Sequence, residues 1–175
     1  MSVAARILAA PPRLGDIRLV AVDGPSGSGK STFADRLLAE LPDAVLVRTD
    51  DFATWDDPVS WWPRLVDGVL TPLSLGRPGG YRRTEWPEGR PRPGEWVSVG
   101  VPRVLLVEGV SAGRRSVRAR LSCLVWCEVT DPVERLARAV ARDGDGCRQP
   151  LLTWQKFESG WFTVDGTREA ANYAV

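Results

Sequence analysis

The 175-residue chain contains no histidine, one methionine, three cysteines and only two lysines. A zinc site needs four ligands of the histidine, cysteine or acidic type, and with histidine missing the cysteines alone cannot supply a familiar set. Their odd number does not suggest a disulfide framework. Cys123 and Cys127 fall in the apolar run LSCLVWCEV, which reads as a strand. Two such residues face the same side about 13 Å apart, too far to bridge, so buried free thiols are predicted. An excess of one charge is missing too. With 23 basic and 22 acidic residues the net charge is +1, which gives no electrostatic case for a nucleic acid or an anionic membrane as partner. No run approaches the ~18 apolar residues of a membrane span, and the apolar part of MSVAARILAAPPR is too short for a secretion signal. A soluble, cytoplasmic protein is predicted, with residues 1–175 forming one domain that buries its core without staples. Whether it self-associates is left open.

What the chain does have is alternation. Short β-branched runs alternate with longer helical patterns, which predicts an α/β fold with a mostly parallel central sheet and helices on both faces. The run from Ile17 to Val22 is the first strand. Phe33, Ala34, Leu37, Leu38 and Leu41 keep one helical face, which Pro42 ends. Strands follow at Ala44 to Val47, Val104 to Val107 and Leu124 to Val129, with helical spacing from Trp61 to Leu70. Asp131-Pro132-Val133-Glu134 supplies an N-cap, a proline at the first helical position and an acid at the third. Between about residues 71 and 100 prolines, glycines and aromatics replace apolar runs. That stretch reads as an ordered excursion from the sheet, too short for a core of its own.

One lysine sits where arginine would not serve. The segment GPSGSGKST, residues Gly24, Pro25, Ser26, Gly27, Ser28, Gly29, Lys30, Ser31 and Thr32, matches the phosphate-binding pattern G-x-x-x-x-G-K-[ST]. Glycines let backbone N–H groups turn inward around phosphate oxygens, and the next helix points its positive end at the same charge. A lysine ammonium is a compact charge on a long stem, whereas a guanidinium demands a fixed fork. Ser31 offers a hydroxyl to Mg²⁺. An apolar strand before the loop and an amphipathic helix after it complete the pattern of a nucleotide-binding loop.

Beyond the loop, the chain resembles the uridine kinase and phosphoribulokinase-like family of P-loop kinases over nearly its whole length. RTDDF (48–52) is similar to the family's acid–x–Phe signature. WDDPVSW and GRPGGYRRTEW are similar to its acceptor region, VLLVEGV (104–110) to its strand-end Glu-Gly signature, and VTDPVERLARAVARD (129–143) to the helix that leads into its lid. The resemblance implies a P-loop NTPase three-layer sandwich with a lid over about residues 135–150, Mg²⁺ and ATP as cofactors, and a small-molecule hydroxyl acceptor, nucleoside-like. It implies Asp50 as the base, with Asp51 the competing candidate.

Glu108 ends an apolar strand, a costly place for a carboxylate unless a cation or donor compensates it; Mg²⁺ coordination with Ser31 accounts for it. Arg135, Arg138 and Arg142 share one helical face. Arg135 reads as a solvated partner of Asp131 or Glu134. Arg138 and Arg142 are the candidates for neutralising the transferred phosphoryl group. Arg148 is a candidate for closing over the nucleotide, and Tyr81, Arg83, Trp86 and Arg90 for touching the acceptor. Arg92 lies in the same stretch, and arginines in that number suit an anionic acceptor as well. The family's pyrimidine kinases carry acceptor-site histidines, and this chain has none. The last strand, near ANYAV, is short or absent. The function read from the sequence is Mg-ATP-dependent phosphoryl transfer to a small-molecule hydroxyl, a nucleoside first. The alternatives are a sugar, vitamin-precursor or antibiotic kinase, and a non-catalytic nucleotide-binding switch.

Overall fold

A computed structural model describes residues 1–175. The strands in chain order are β1 (Arg18–Asp23), β2 (Ala44–Arg48), β3 (Gly79–Glu85), β4 (Arg92–Val99), β5 (Val104–Glu108), β6 (Leu121–Trp126) and β7 (Tyr173–Ala174). Five form one sheet in the order β2-β5-β1-β6-β7, with every neighbouring pair parallel. All five residues of β5 are buried, as the apolar run predicts for a strand covered on both faces. Alternate residues feed two cores. Val20, Val22 and Leu106 meet Ala4 and Ile7 of α1 (Val3–Ala9) and Ala34 and Leu37 of α2 (Lys30–Glu40). Leu19, Ala21, Leu105 and Val107 meet Phe52, Trp61, Leu65 and Leu70 on the other side. Each of these Val, Leu, Ile and Phe side chains contributes roughly 1.5–3 kcal/mol by leaving water. This is the predicted three-layer α/β sandwich.

Predicted and observed strands agree within a residue at β1, β2 and β5, but not at β6. That strand spans 121–126 rather than 124–129. Its partner is β1, and the ladder runs out at the Asp23–Trp126 pair, where β1 turns into the glycine loop. Cys127 therefore lies just past the strand. It and Cys123 are buried free thiols, pushed up to about 11 by that burial.

The helical spacing near Trp61 resolves into α3 (Trp62–Leu65), a π turn (Val66–Leu70) and α4 (Thr71–Ser74), joined without a break. Pro72 would press on the carbonyl four residues back in an α-helix, and the wider turn lies at that place. The excursion between 71 and 100 is more regular than predicted: after α4 it forms an antiparallel hairpin of β3 and β4. Most of its residues are exposed or half-buried, with Tyr81, Thr84 and Val99 turned inward. Residues 135–150 comprise most of α5 (Pro132–Asp143), a 3-10 turn (Asp145–Cys147) and the start of α6 (Arg148–Asp165). Asp131 caps α5 as predicted, its carboxylate accepting from the Val133 N–H at 2.8 Å. A short α7 (Thr167–Ala170) leads into β7, two residues long. No helix is long and apolar enough to cross a membrane.

Candidate active site

The site gathers at the C-terminal ends of the parallel strands, where α/β sheets bind ligands. The loop leaves β1 at Asp23 and enters α2 at Gly29, whose φ is +89° and which offers no side-chain cap. The first amides of α2 are therefore unclaimed, which suits a bound anion. Gly27 has φ +76°, and a Cβ there would lie 2.3 Å from the Arg135 carbonyl oxygen, so the loop can pass beneath α5 only without a side chain at that position. Lys30 is buried and donates through Nζ to the Pro25 carbonyl at 2.9 Å. Ser31 Oγ donates to Glu108 Oε1 at 3.3 Å. Thr32 is exposed, and the buried Ser28 Oγ has no partner.

Three charged side chains stand at neighbouring strand ends. Glu108 is in register with Val22 on one side and Arg48 on the other. Arg48 donates through one Nη to Glu108 at 2.8 Å and through the other to Asp35 at 2.6 Å. Burial pushes the Glu108 carboxyl above the usual carboxylate range, with Lys30 opposing. Gly109, with φ +132°, lets the backbone pass Thr49; a Cβ there would meet the Thr49 hydroxyl at 1.9 Å. Asp23 is fully buried and accepts from the Gly24 and Gly113 amides at 2.7 and 2.8 Å. Burial nevertheless pushes its carboxyl up to about 7.

Asp50 and Asp51 occupy one 3-10 turn after β2 and have different fates. The Asp50 carboxylate is exposed, lines the main cleft and makes no hydrogen bond or ion pair. Asp51 is half-buried and accepts from the Tyr81 hydroxyl at 2.5 Å. Burial raises its carboxyl, and the Tyr81 bond works against that.

The cleft holds about 520 Å³, with Ser26 and Ser31 at its loop end. Its aromatic walls are Trp55, Trp86 and Trp154. Trp55 stands edge-on to Trp86 at 5.1 Å between ring centroids and to Trp154 at 6.0 Å. The indole N–H of Trp55 donates to the Gly89 carbonyl, and that of Trp86 to the Asp50 carbonyl. The charged lining is Asp50, Glu88 and Asp143 against Arg142 alone, and Arg142 is already held by both Asp143 oxygens, at 2.6 and 2.7 Å.

The fold thus brings together Ser26, Ser31, Asp50, Trp86 and Arg142. Other predicted site residues lie elsewhere. Arg138 is exposed on α5 and pairs with Glu134. Positions seven apart on a helix drift by only about 20°, so Arg135 and Arg142 share a line from which Arg138 is turned. Arg135 corrects the expectation of a solvated pair: it reaches the buried Glu158 at 3.0 Å. Tyr81 is buried against Phe52 rather than facing the cleft. Arg83 pairs with Glu95 on the hairpin at 3.5 Å, and Arg92 with Glu85 at 3.1 Å. Arg90 and Arg148 are exposed and outside the cleft lining. Four residues that sequence reasoning passed over also sit here: Asp23, Arg48, Trp154 and Glu158. For the last two a signal existed, since Leu151, Trp154 and Glu158 fall at helical spacing and put a carboxylate on a buried face.

The donor set fits the cofactors. Ser31 Oγ and the Glu108 carboxylate are hard oxygen donors of the kind Mg²⁺ takes alongside water and phosphate. The uncapped α2 amides and Lys30 suit a polyphosphate.

Comparison with known proteins bears on the fold. A family model described as an AAA domain matches residues 19–97, from β1 into β4. No curated protein sequence matches the chain. Among solved structures, a possible uridine kinase from Bacillus stearothermophilus superposes with a TM-score of 0.68 at 15% identity, covering 98% of this chain and 94% of that one. A candidate fructose transport system kinase from Silicibacter sp. TM1040 superposes at 0.69 with 22% identity, covering 100% and 99%. Glycine loop, strand order and these superpositions agree on one architecture, and the chain has the P-loop NTPase α/β fold.

Proposed function

We propose that residues 1–175 act as one unit, a Mg-ATP-dependent kinase that phosphorylates a hydroxyl of a small molecule. The observation that carries this reading is the cleft itself. It joins the phosphate loop, through Ser26 and Ser31, to an unpaired carboxylate at Asp50 and a guanidinium at Arg142. A pure nucleotide switch has no need of that carboxylate.

Bound Mg-ATP would supply the phosphoryl group. Lys30 and the α2 amides would hold the phosphates, and Ser31 and Glu108 would be the metal's protein ligands. Asp50 orients the acceptor hydroxyl and takes its proton. Asp51, tied to Tyr81, is the weaker candidate for that role. Arg142 neutralises charge on the group in flight. Phosphoryl transfer asks mainly for positioning and charge compensation, and these groups supply both.

The lining also bears on the acceptor. Three carboxylates face one arginine that Asp143 already holds, so an uncharged acceptor fits better than an anionic one. The hairpin arginines that would favour an anion lie outside the cleft. Flat tryptophan walls suit a planar group, and a nucleoside remains first among acceptors. The structural neighbours, named as a possible uridine kinase and a candidate fructose transport system kinase, keep a sugar hydroxyl in view. The reaction is tested by ADP formation from Mg-ATP across nucleosides, sugars, amino alcohols and hydroxy acids. Stimulation by one uncharged class supports the reading. A flat panel over tight ATP binding would replace it with the switch.

A further inference from the structure

Glu158 lies 132 residues from the phosphate loop and is 1% exposed. Its carboxylate accepts from the Ser26 N–H, 3.1 Å from Oε1 and 2.9 Å from Oε2, and from the Ser26 hydroxyl at 2.9 Å. Arg135 Nη1 donates to the same group at 3.0 Å. Ser26 lines the main cleft, but Glu158 and Arg135 do not. Glu158 and Arg135 line a smaller niche on the far side of the loop, of about 260 Å³. The loop is thus gripped from behind, with Gly27 directly under the Arg135 carbonyl.

The two helices repeat one arrangement. On α6, Trp154 stands one turn before Glu158 and walls the cleft. On α5, Arg142 stands two turns after Arg135 and enters the same cleft. Each helix therefore puts one residue on the loop and another in the cleft, and the Arg135–Glu158 ion pair joins the helices at the loop. A buried carboxylate is costly unless its oxygens are engaged, and here backbone, hydroxyl and guanidinium all engage it.

We infer that Glu158, with Arg135, is a positioning residue that holds the phosphate loop in its binding shape and sets Trp154 and Arg142 against it. The inference rests on the reading of this loop as the nucleotide site. Glu158 touches no phosphate; it acts through Ser26.

The test is calorimetric binding of Mg-ATP and of Mg-tripolyphosphate to the wild-type chain, Glu158→Gln, Ser26→Ala and the double variant. Loss of a charged bond to the loop should weaken both ligands on the order of tenfold in Glu158→Gln, and loss of the hydroxyl bond about threefold in Ser26→Ala. The double variant should bind no more weakly than Glu158→Gln, since both changes break one link. Equal weakening of tripolyphosphate places the fault in the phosphate cradle rather than at the base. A melting temperature that falls while the folded variants keep wild-type affinity would overturn the inference. So would additive losses. If Glu158→Gln fails to fold, Ser26→Ala decides: unchanged affinity there sinks the proposal. A wild-type chain that binds neither ligand would overturn the nucleotide reading itself, and this inference with it.

Discussion

The hydroxyl of Ser31 and the carboxylate of Glu108 meet at 3.3 Å, where the first turn of α2 crosses the end of β5. Two hard oxygen donors at that separation would, in the function proposed above, form one edge of a Mg²⁺ coordination shell. Glu108→Gln keeps the shape and removes the charge. It should raise the Mg²⁺ concentration for half-maximal turnover about tenfold or more. A Mg²⁺ titration that superimposes on wild type would remove Glu108 from the metal site.

Adjacent carboxylates in the 3-10 turn give a paired test. Asp50→Asn should lower turnover by about 10²–10⁴ while leaving Mg-ATP affinity within a fewfold, the mark of a lost proton acceptor. Tyr81→Phe strips the half-buried Asp51 of its hydroxyl donor and should cost roughly 1–3 kcal/mol in urea unfolding. Near wild-type turnover from folded Asp50→Asn would transfer the role to Asp51 or abolish it.

On α5 the arginines separate cleanly. Arg142→Ala should lower turnover by about 10²–10³, as loss of one transition-state donor does elsewhere. Arg138→Ala removes an exposed pair with Glu134, and such pairs are worth about 0–1 kcal/mol, so its kinetics should match wild type. Equal losses in both variants would mean that the helix reorients when ligand binds.

Asp23 supplies a pH dependence. Its folded-state carboxyl titrates at about 7 instead of 3.8, chiefly through burial. Between those values the folded chain holds a proton that the unfolded chain has lost. Stability therefore falls as pH rises through that window, by up to roughly 1.4 kcal/mol per pH unit, and levels off above it. Asp23→Asn cannot titrate and should flatten the slope between pH 4 and 7. Urea midpoints across that range check it, and parallel slopes for the two proteins would refute it.

The sequence exposed what depends on neighbours along the chain. The loop, its flanking strand and helix, the Glu108 strand end and the Asp131 cap all depend on residues within a few positions, and each stands where the local pattern predicts. The β3–β4 hairpin did not show, because strands such as GGYRRTE bury only an occasional residue and take their order from the partner strand. The start of β6 shifted because its register is borrowed from β1. Trp154 and Glu158 fall at helical spacing in the sequence, but only the folded placement of α6 shows that one walls the cleft and the other bonds the loop. Arg138 and Arg142 look alike on a helical wheel, and only the placement of α5 over Gly27 tells them apart.

Trp55, Trp86 and Trp154 are three of eight tryptophans, and their edge-on rings make one cleft a cluster of coupled chromophores. Indole emission moves to shorter wavelength when water leaves the ring, and a flat ligand laid against it quenches. The other five rings either sit in cores or lie away from this wall, giving a steady background. The cleft thus carries its own optical gauge: a planar compound that enters it should shift or quench the tryptophan emission.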